Sequence, residues 1–513
     1  MVFRVSCKKE GENWWYGAVA EGVRMPVNSA TDHYVFDGSV NLSYNQIVTL
    51  LVSDQGRYIY VDGGCKVKIG NNEVVLYDPV APVDVGEGYA SMNEAYHAAA
   101  EKHFYHSKTT VPPISVVSPQ YCSWVEMLHD IDQKRVEEYA QNVKKAGLPE
   151  GIFILDSGWM QGYGDWEFVK EKFPDPKAMC KKLHDLGFKV VLWTLPFVDR
   201  STKSFEEMEK KGLFVRAKNG ETAFRTWWNG TSAVLDMTNP NAWEYYKAKL
   251  DRLMEEYGVD GFKLDAGDAE YYAFDDVTYA PTTPNGQSTL WAKFAAQYEY
   301  SELRACVGMS GYPIVQRLCD KDSSWDKERG LGSLIPGMIQ AGLAGYAYCC
   351  PDMVGGGQEN NFGDGKEHDV ELFIRSCQCA ALMPMMQFSY AIWEHYDNDF
   401  VRNIVRECAC LRRKYEGYIK ELLEEARVRF SPMLRNLEYE YPNQGLQKIK
   451  DEFLLGKDLL VAPVTEKGML KRKVVLPKGD SWKYMPTGEI YEGGQTVEVD
   501  SPIETLPYFE RIK

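Results

Sequence analysis

The stretch GVDGFKLDAGD, residues 258–268, predicts the fold of the chain. The residues before it are typical of a helix, because Thr238 or Asn239 can cap the first turn and Pro240 suits a first-turn position. The apolar run inside the stretch predicts a β-strand with the carboxylate of Asp265 at its C-terminal end. A helix, a short link and such a strand form the repeating unit of a (β/α)8 barrel, whose catalytic groups lie at the C-terminal ends of its strands.

Two interpretations of Asp265 are open on this pattern. An Asp after a strand often forms a turn or caps the next helix. Lys263 stands two residues earlier, so the two side chains share one face of a strand and the ammonium group would keep the carboxylate ionised. Together with a second acidic motif downstream, this arrangement favours a catalytic Asp265.

Composition narrows the class of protein. The chain has 513 residues, 44% hydrophobic and 26% charged, which is typical of a soluble globular protein with more than one domain. Its formal charge of −16 disfavours a nucleic-acid or anionic-membrane partner. No apolar run has the length of a signal peptide or a membrane span, so we expect a cytoplasmic protein. Twelve Cys without CxxC pairs and eight His without HExxH spacing predict neither a metal nor a cofactor.

Changes in the pattern of apolar residues along the chain predict three domains. Short alternating runs predict an N-terminal β-sandwich over residues 1–110. Near-continuous apolar strands then alternate with amphipathic helices over 111–427, as in a parallel barrel covered on its outside. Short runs typical of β-strands occur again over 428–513 and predict a C-terminal β-sandwich domain. In the first domain, the aromatic segment NWWYGAVAEGVRMPVN, 13–28, is either a cluster at a domain seam or a projection toward a neighbouring site.

Six predicted strand ends carry polar or aromatic groups that would converge on one mouth of the barrel: Asp156, Trp193, Asp265, Arg304, Asp320 and Asp352. In this set, Trp193 could also be a core residue, and Asp352 could simply shape the glycine-rich loop that follows it. Two carboxylates with aromatic walls are suited to cleaving a glycosidic bond, where one acid attacks or stabilises the anomeric carbon and the other protonates the leaving oxygen.

The motifs around these residues resemble glycoside hydrolase family 31, and the resemblance spans nearly the whole chain. KLDAGD is similar to the nucleophile motif of the branch that contains the myogenesis-regulating glycosidase, and CDKDSSW is similar to the acid/base segment of the family. Arg304, sixteen residues before Asp320, matches a sugar-binding arginine. WWNGTSAVLDMTNP, PDMVGG and FLLGKDLLVAPV also resemble family signatures.

This resemblance implies a retaining α-glycosidase that acts on a small α-linked oligosaccharide or glycoside. It implies that Asp265 is the nucleophile and Asp320 is the general acid and later the base. It places Trp228 on the leaving-group side, and it leaves self-association through the β-domains open. The implied subsite for the cleaved sugar is lined by Asp156, Trp193, Lys263, Arg304, Arg317 and Asp352.

Three positions depart from the usual family pattern. Cys319 replaces a glycine before the acid/base, Arg317 replaces an aromatic residue, and QFSYAIW, 387–393, replaces an Arg-x-His segment. The last two agree with the branch named above, for which α-galactoside cleavage is implied. We therefore expect an α-galactosidase, with α-glucosidase or α-xylosidase as the alternative and a transglycosylase or lyase variant still open. From another class, a catalytically silent sugar-binding protein is the rival.

Overall fold

The computed structural model describes residues 1–361, 368–396 and 398–512. At its centre lies a (β/α)8 barrel whose eight parallel strands pair in chain order, with the first strand also paired to the eighth. A single bridge between Met353 and Gln387 joins the seventh and eighth strand regions, so the barrel is nearly closed. The barrel strands are Gln120–Cys122, Ile152–Leu155, Lys189–Thr194, Gly261–Leu264, Tyr300–Leu303, Val315–Arg317, Cys349–Cys350 and Gln387–Phe388.

Helices lie between and around these strands. The α-helices of this part are Ile114–Val117, Trp124–Met127, Gln133–Lys145, Pro176–Asp185, Lys203–Lys211, Pro240–Tyr257, Pro284–Ala295, Leu334–Leu343, Val370–Ala381, Ile392–His395, Asp399–Lys414 and Glu416–Arg429. Single 3-10 turns lie at Ala269–Tyr271, Leu331–Ser333 and Glu359–Asn361. A small antiparallel sheet follows the third barrel strand and consists of Phe197–Val198, Phe224–Trp227 and Gly230–Val234. Within the described ranges, no helix is both long and apolar enough to cross a bilayer.

The helix before the fourth barrel strand has the predicted limits. The Asn239 side chain accepts a hydrogen bond from the Asn241 amide at 3.0 Å, and Pro240 occupies the first turn. Gly258 ends the helix with φ at +80°, a left-handed conformation that glycine adopts without a Cβ penalty. Helix and strand are therefore joined tightly, which places Asp265 directly after the strand.

Two other segments differ from the prediction. The segment ISVVSPQYCSW, 114–124, predicts the first strand, but residues 114–117 form a helix and the strand begins only at Gln120. The segment QSTLWAKFAAQYEYSEL, 287–303, predicts a helix, but the helix ends at Ala295 and residues 300–303 form the fifth strand. The fifth strand pairs in register with the fourth, Lys263 opposite Glu302, and with the sixth. Because this segment pairs with a strand on each side, it forms a strand although its local sequence favours a helix.

The N-terminal part consists of two packed sheets, as predicted, and one helix that was not predicted. The first sheet, in spatial order, contains Val2–Ser6, Glu73–Tyr77, Lys66–Gly70 and Tyr34–Asp37; the second contains Val27–Asn28, Asn13–Ala18, Gln46–Ser53, Arg57–Val61 and Asp84–Glu87. A 3-10 segment covers Val19–Arg24. The helix is Met92–His103, capped by the Ser91 hydroxyl and rich in alanine. The short strand Cys306–Val307 of the barrel region pairs with Gln46–Ser53 and so joins the two parts.

The C-terminal part is a second pair of sheets. The larger sheet contains, in spatial order, Leu434–Arg435, Phe453–Leu455, Leu459–Val461, Tyr508–Ile512, Ser481–Tyr484 and Ile490–Glu492. The smaller one pairs Lys471–Leu476 with Gln495–Asp500, and a short helix covers Leu437–Glu440. Arg375 of the barrel donates to the carbonyls of Ser501, Pro502 and Thr505, which fastens this domain to the barrel.

A buried arginine holds the barrel end opposite its mouth. Arg412 is fully buried and donates to the carbonyls of Ala381, Met383, Pro384 and Val116. We expect Arg412→Met to lower the free energy of unfolding by about 3 kcal/mol or more, because several buried carbonyls lose their donor. Urea denaturation followed by tryptophan fluorescence measures this. Arg406→Met, on the exposed face of the same helix, is the control and should change stability by less than about 0.5 kcal/mol. Equal effects of the two substitutions would contradict the stabilising role of Arg412.

Candidate active site

A cavity of about 480 Å³ opens where the barrel strands end. Its wall combines barrel strand ends, the hairpin that carries Trp228, and a turn of the N-terminal part at residues 43–45. Eight of the nine predicted site residues line it, namely Asp156, Trp193, Trp228, Lys263, Asp265, Arg304, Arg317 and Asp320. The ninth, Asp352, lies behind Arg317 with its side chain fully buried.

Asp265 is held by three hydrogen bonds where it lines this cavity. It follows the fourth strand directly and accepts hydrogen bonds from Trp193 Nε1 at 3.1 Å, from Arg304 Nε at 3.1 Å and from the Ala266 amide at 2.8 Å. Burial alone would raise the pKa of Asp265, but the charges of Arg304, Lys263 and Arg317 outweigh it and hold the pKa well below its ordinary value. Asp265 is thus an ionised carboxylate suited to nucleophilic attack.

Arg304 is itself held by a residue that the sequence analysis did not assign to the site. Its Nη1 and Nη2 donate to the two carboxylate oxygens of Asp268 at 3.0 and 2.7 Å, a bidentate pair. Its Nε is left to face Asp265. The acid at the end of the KLDAGD motif was the signal that could have assigned Asp268 this role.

Lys263 binds a different carboxylate from the one the sequence predicts. Its Nζ donates to Asp156 Oδ2 at 2.7 Å, and the Cys122 thiol donates to the same oxygen at 3.2 Å. The ammonium group still lowers the pKa of Asp265 through space, as expected from the shared strand face. Lys263 and Asp156 therefore form a buried ion pair in the cavity wall beside the nucleophile.

Arg317 joins three carboxyl groups. Its Nη1 donates to Asp320 Oδ1 and to Asp352 Oδ1, each at 2.6 Å, and its Nε lies 3.4 Å from Glu302 Oε1. Asp320 stands three residues after the sixth strand, in the loop, with 31% of its side chain exposed to the cavity side. Glu302 is buried inside the barrel on the fifth strand. It was not predicted as a site residue, because its contact with Arg317 depends on the pairing of the fifth strand with the sixth.

A turn of the N-terminal part binds the ends of the fifth and sixth strands from outside the barrel. Arg304 Nη1 donates to the Tyr44 carbonyl at 3.0 Å, and the Cys319 amide donates to Asn45 Oδ1 at 2.9 Å. Gln46 Nε2 donates to the carbonyls of both Arg304 and Arg317. This turn was missed; the polar Gln46 at the start of the buried strand QIVTLLVS was its one signal in the sequence.

The aromatic segment at 13–28 is mainly structural. Trp14 and Trp15 are buried in the N-terminal core, which agrees with the seam interpretation, and only Ala20 of this segment lines the cavity. Trp228 is instead an exposed aromatic at the mouth: 48% of it is accessible, and the Arg304 guanidinium lies 5.9 Å from its ring centre. This position fits a contact with the leaving group.

Comparison with known proteins places this architecture in a family. Residues 109–434 match the model of the glycosyl hydrolases family 31 TIM-barrel domain, and residues 430–512 match that of the family's C-terminal domain. The chain belongs to glycosyl hydrolase family 31. Within the described ranges of this family 31 chain, no group of three or more His, Cys, Asp or Glu is placed to hold a metal ion.

The proteins that this chain resembles are named for different activities. The chain is 34% identical over 418 residues to the myogenesis-regulating glycosidase of Mus musculus, covering 80% of this chain and 58% of that protein. It is 26% identical to α-glucosidase 2 of Bacillus thermoamyloliquefaciens, covering 74% and 50%. The chain therefore spans only half to three fifths of these relatives. The fold resembles the family 31 dextranase of Flavobacterium johnsoniae, with a TM-score of 0.86 at 22% identity over 99% of this chain and 66% of that one.

The three departures from the family 31 pattern have different positions in the structure. Arg317 and Cys319 line the cavity, as expected. The family resemblance implies that residues 387–393 lie at the sugar pocket, yet the described residues that line the cavity include none from this segment. Gln387 points into the barrel and donates to Glu302 Oε2 at 3.0 Å, and Tyr390 and Trp393 are buried. Through Gln387 this segment reaches Glu302, which lies beside Arg317 of the cavity wall.

Proposed function

We propose that this chain is a retaining α-glycosidase with Asp265 as nucleophile and Asp320 as acid/base. The observation that carries the proposal is the contrast between the two carboxyls across one cavity. Asp265 is held ionised by Arg304 and by the Trp193 indole, whereas Asp320 is partly exposed and its carboxyl group accepts, among the described residues, from Arg317 alone. Glycosidases of this type need one carboxylate that stays ionised and one carboxyl that can give and take a proton.

The mechanism follows from these two environments. In the first step Asp265 attacks the anomeric carbon, the glycosidic C–O bond breaks, and Asp320 gives its proton to the leaving oxygen. In the second step Asp320 takes a proton from water, which attacks the anomeric carbon and releases Asp265. The positive charge that develops on the sugar lies beside Asp265, while Arg304 and Lys263 keep that carboxylate ionised before it attacks and stabilise it again as it leaves in the second step. This geometry requires carboxyl groups about 5 to 5.5 Å apart.

We propose terminal α-galactose as the favoured sugar. Support comes from Arg317, which stands where most family α-glucosidases carry an aromatic residue, and from the similarity to the myogenesis-regulating glycosidase. Arg317 and its carboxyl partners would meet polar sugar hydroxyls at a position where an aromatic ring would offer an apolar face. α-Glucose or α-xylose is the alternative, since the relatives include an α-glucosidase.

Parallel rate assays on nitrophenyl α-galactoside, α-glucoside, α-xyloside and α-N-acetylgalactosaminide test the proposal. We expect the α-galactoside to have the highest kcat/KM, and proton NMR to show α-galactose as the first product anomer. A dominant α-glucoside or α-xyloside rate would reject the sugar assignment and keep the mechanism. A first product with the β-anomer would reject retention.

The rival is a silent sugar-binding protein on the same scaffold. It is disfavoured because the Asp265 carboxylate is largely buried near three cations that keep it ionised, an arrangement that costs desolvation and that sugar binding alone does not need. Binding of galactose in calorimetry with no turnover of any of the four substrates would favour the rival. Transglycosylation would appear as nitrophenol release that exceeds the release of free sugar.

A further inference from the structure

Two arginines of the cavity wall stand side by side where the pairing of their strands ends. The last pair between the fifth and sixth strands is Leu303 with Gln316. One residue further on, the same register places Arg304 opposite Arg317. Arg304 contacts the proposed nucleophile and Arg317 contacts the proposed acid/base. The ladder that aligns the two strands therefore stops just before the two residues whose alignment matters to the site.

A glutamine of the N-terminal part connects the two strands at this point. Gln46 is fully buried, and its Nε2 donates to the carbonyl of Arg304 at 2.5 Å and to the carbonyl of Arg317 at 2.8 Å. Only the nitrogen of a side-chain amide has hydrogens to donate, so these two acceptors determine which way the amide points. One amide thus holds the backbones of the two arginines at a fixed separation.

The other end of the Gln46 amide makes this contact unfavourable for stability. Gln46 Oε1 is buried and has no hydrogen-bond partner among the residues that the structure describes. A buried acceptor without a donor lowers stability, and such groups in a folded protein call for an explanation. Turning the amide over would place Oε1 against two carbonyl oxygens. The two bonds of the nitrogen are therefore kept although the oxygen remains unpaired.

Strand pairing holds Gln46 in this place. The strand Gln46–Ser53 pairs in parallel with Cys306–Val307, and Gln46 stands opposite Cys306, two residues after Arg304. The amide is therefore fixed relative to the end of the fifth strand, and from there it reaches the sixth. A change in how the N-terminal part packs on the barrel would move both arginines.

The two residues before Gln46 bind the same strand ends. The Tyr44 carbonyl accepts from Arg304 Nη1 at 3.0 Å, and Asn45 Oδ1 accepts from the Cys319 amide at 2.9 Å. Tyr44 has a φ of +56°, a left-handed conformation that is unfavourable for a residue with a side chain and persists where its surroundings fix it. Three consecutive residues thus each bind the segments that carry the two arginines.

We propose that Gln46 is a positioning residue that sets the separation of Arg304 and Arg317 and, through them, of the two catalytic carboxyls. Arg304 Nε lies 3.1 Å from Asp265 Oδ1, and Arg317 Nη1 lies 2.6 Å from Asp320 Oδ1, so each carboxyl is aligned by its own arginine. Double displacement needs these carboxyls at a narrow separation, and a misplacement of about 1 Å lowers the rate about 100-fold. The inference rests on the proposed function and adds a residue of the N-terminal part to it.

Gln46→Met tests the proposal, because methionine has nearly the same length and no donor. The probes are a cationic 1-deoxyiminosugar, in the galacto or gluco configuration that the parent binds more tightly, and the neutral sugar of that configuration. The iminosugar places its charge where positive charge develops in the transition state, so its Kd should rise about 10- to 100-fold. The Kd of the neutral sugar should change less than about threefold. Calorimetry measures both without turnover, and kcat/KM on the nitrophenyl glycoside should fall about 10- to 100-fold.

Gln378→Met is the matched control. Gln378 is equally buried, and its Nε2 donates to the Ile503 carbonyl at 2.8 Å, so it too joins the barrel to a flanking domain. Both variants should unfold at lower temperature than the parent, because buried carbonyls lose a donor. Gln378→Met should keep the ratio of the two Kd values found for the parent. If Gln46→Met changes both Kd values by the same factor, Gln46 is merely structural and the inference is wrong.

Gln46→Asn gives a second test in case the methionine variant does not fold. Its amide is one methylene shorter and cannot bridge both carbonyls, so the same selective loss of iminosugar binding is expected. That loss in a protein that cleaves no glycoside would keep the positioning role and reject the proposed function. An unchanged ratio of Kd values in an active enzyme would reject the inference alone. A parent that does not bind the iminosugar more tightly than the neutral sugar would reject both.

Discussion

Replacing Asp265 by alanine should lower turnover by about 10⁴- to 10⁶-fold, because it removes the group that forms the covalent intermediate. Added azide should then restore part of the rate with an activated α-glycoside. The small anion can enter the space that the carboxylate leaves and is attracted by Arg304, which loses its contact with Asp265. Azide would attack from the face opposite the leaving group, so the product should be the β-glycosyl azide. Proton NMR of the product distinguishes the anomers.

The control for this experiment is Asp275→Ala, which changes an exposed carboxylate in the loop after the same strand. It should keep full activity and give no glycosyl azide. An α-glycosyl azide from Asp265→Ala would contradict the assignment of Asp265, and so would a variant that retains a tenth of the parent rate without azide. Circular dichroism should show an unchanged fold, because Arg304 keeps both bonds to Asp268 and the Trp193 ring keeps its contact with Tyr163.

Strand ends were the predictable part of this site. Asp156 and Asp265 follow their strands directly, and the capped helix before Gly258 fixes the strand that carries Asp265. Such features depend on a few consecutive residues, so caps, apolar runs and turns indicate them. The barrel and its flanking β-domains could therefore be predicted from local pattern, whereas the family was predicted from the resemblance of motifs such as KLDAGD and CDKDSSW.

Partners set by neighbouring strands could not be predicted. The sequence places Lys263 beside Asp265 on one strand face, but the closest carboxylate is Asp156, which comes from the second strand. Glu302 and Arg317 meet because the fifth and sixth strands pair, and the fifth strand itself was assigned to a helix. Contacts of this kind depend on register between distant segments, which local pattern does not contain.

The turn at residues 44–46 illustrates a second limit. Nothing in the local sequence of Tyr44 or Asn45 predicts a catalytic neighbourhood, and the aromatic cluster at Trp14 and Trp15 is the more conspicuous feature. The turn reaches the site because the strand that begins at Gln46 pairs with Cys306–Val307 of the barrel region. Domain packing therefore completes the cavity wall, and the N-terminal part holds the strand ends that carry Arg304 and Arg317.

Asp320→Ala should show the complementary behaviour to Asp265→Ala. The glycosyl-enzyme still forms from a dinitrophenyl α-glycoside, whose leaving group needs no proton, but its hydrolysis lacks a base and slows by about 10²- to 10⁴-fold. Cleavage of a disaccharide should fall by a similar factor, because the first step lacks the acid. Mass spectrometry should detect the accumulated intermediate on the peptide that contains Asp265.

Azide separates the two carboxyl roles in this variant. It needs no base, so it should accelerate breakdown of the intermediate and give the α-glycosyl azide, the anomer opposite to that from Asp265→Ala. Asp326→Ala, a loop carboxylate that binds the amides of Glu328 and Arg329, is the matched control and should give no azide product. The same azide anomer from both catalytic variants would contradict a double displacement, because one face of the sugar would then serve both steps. Opposite anomers from two residues that line one cavity would assign each carboxyl to its own face.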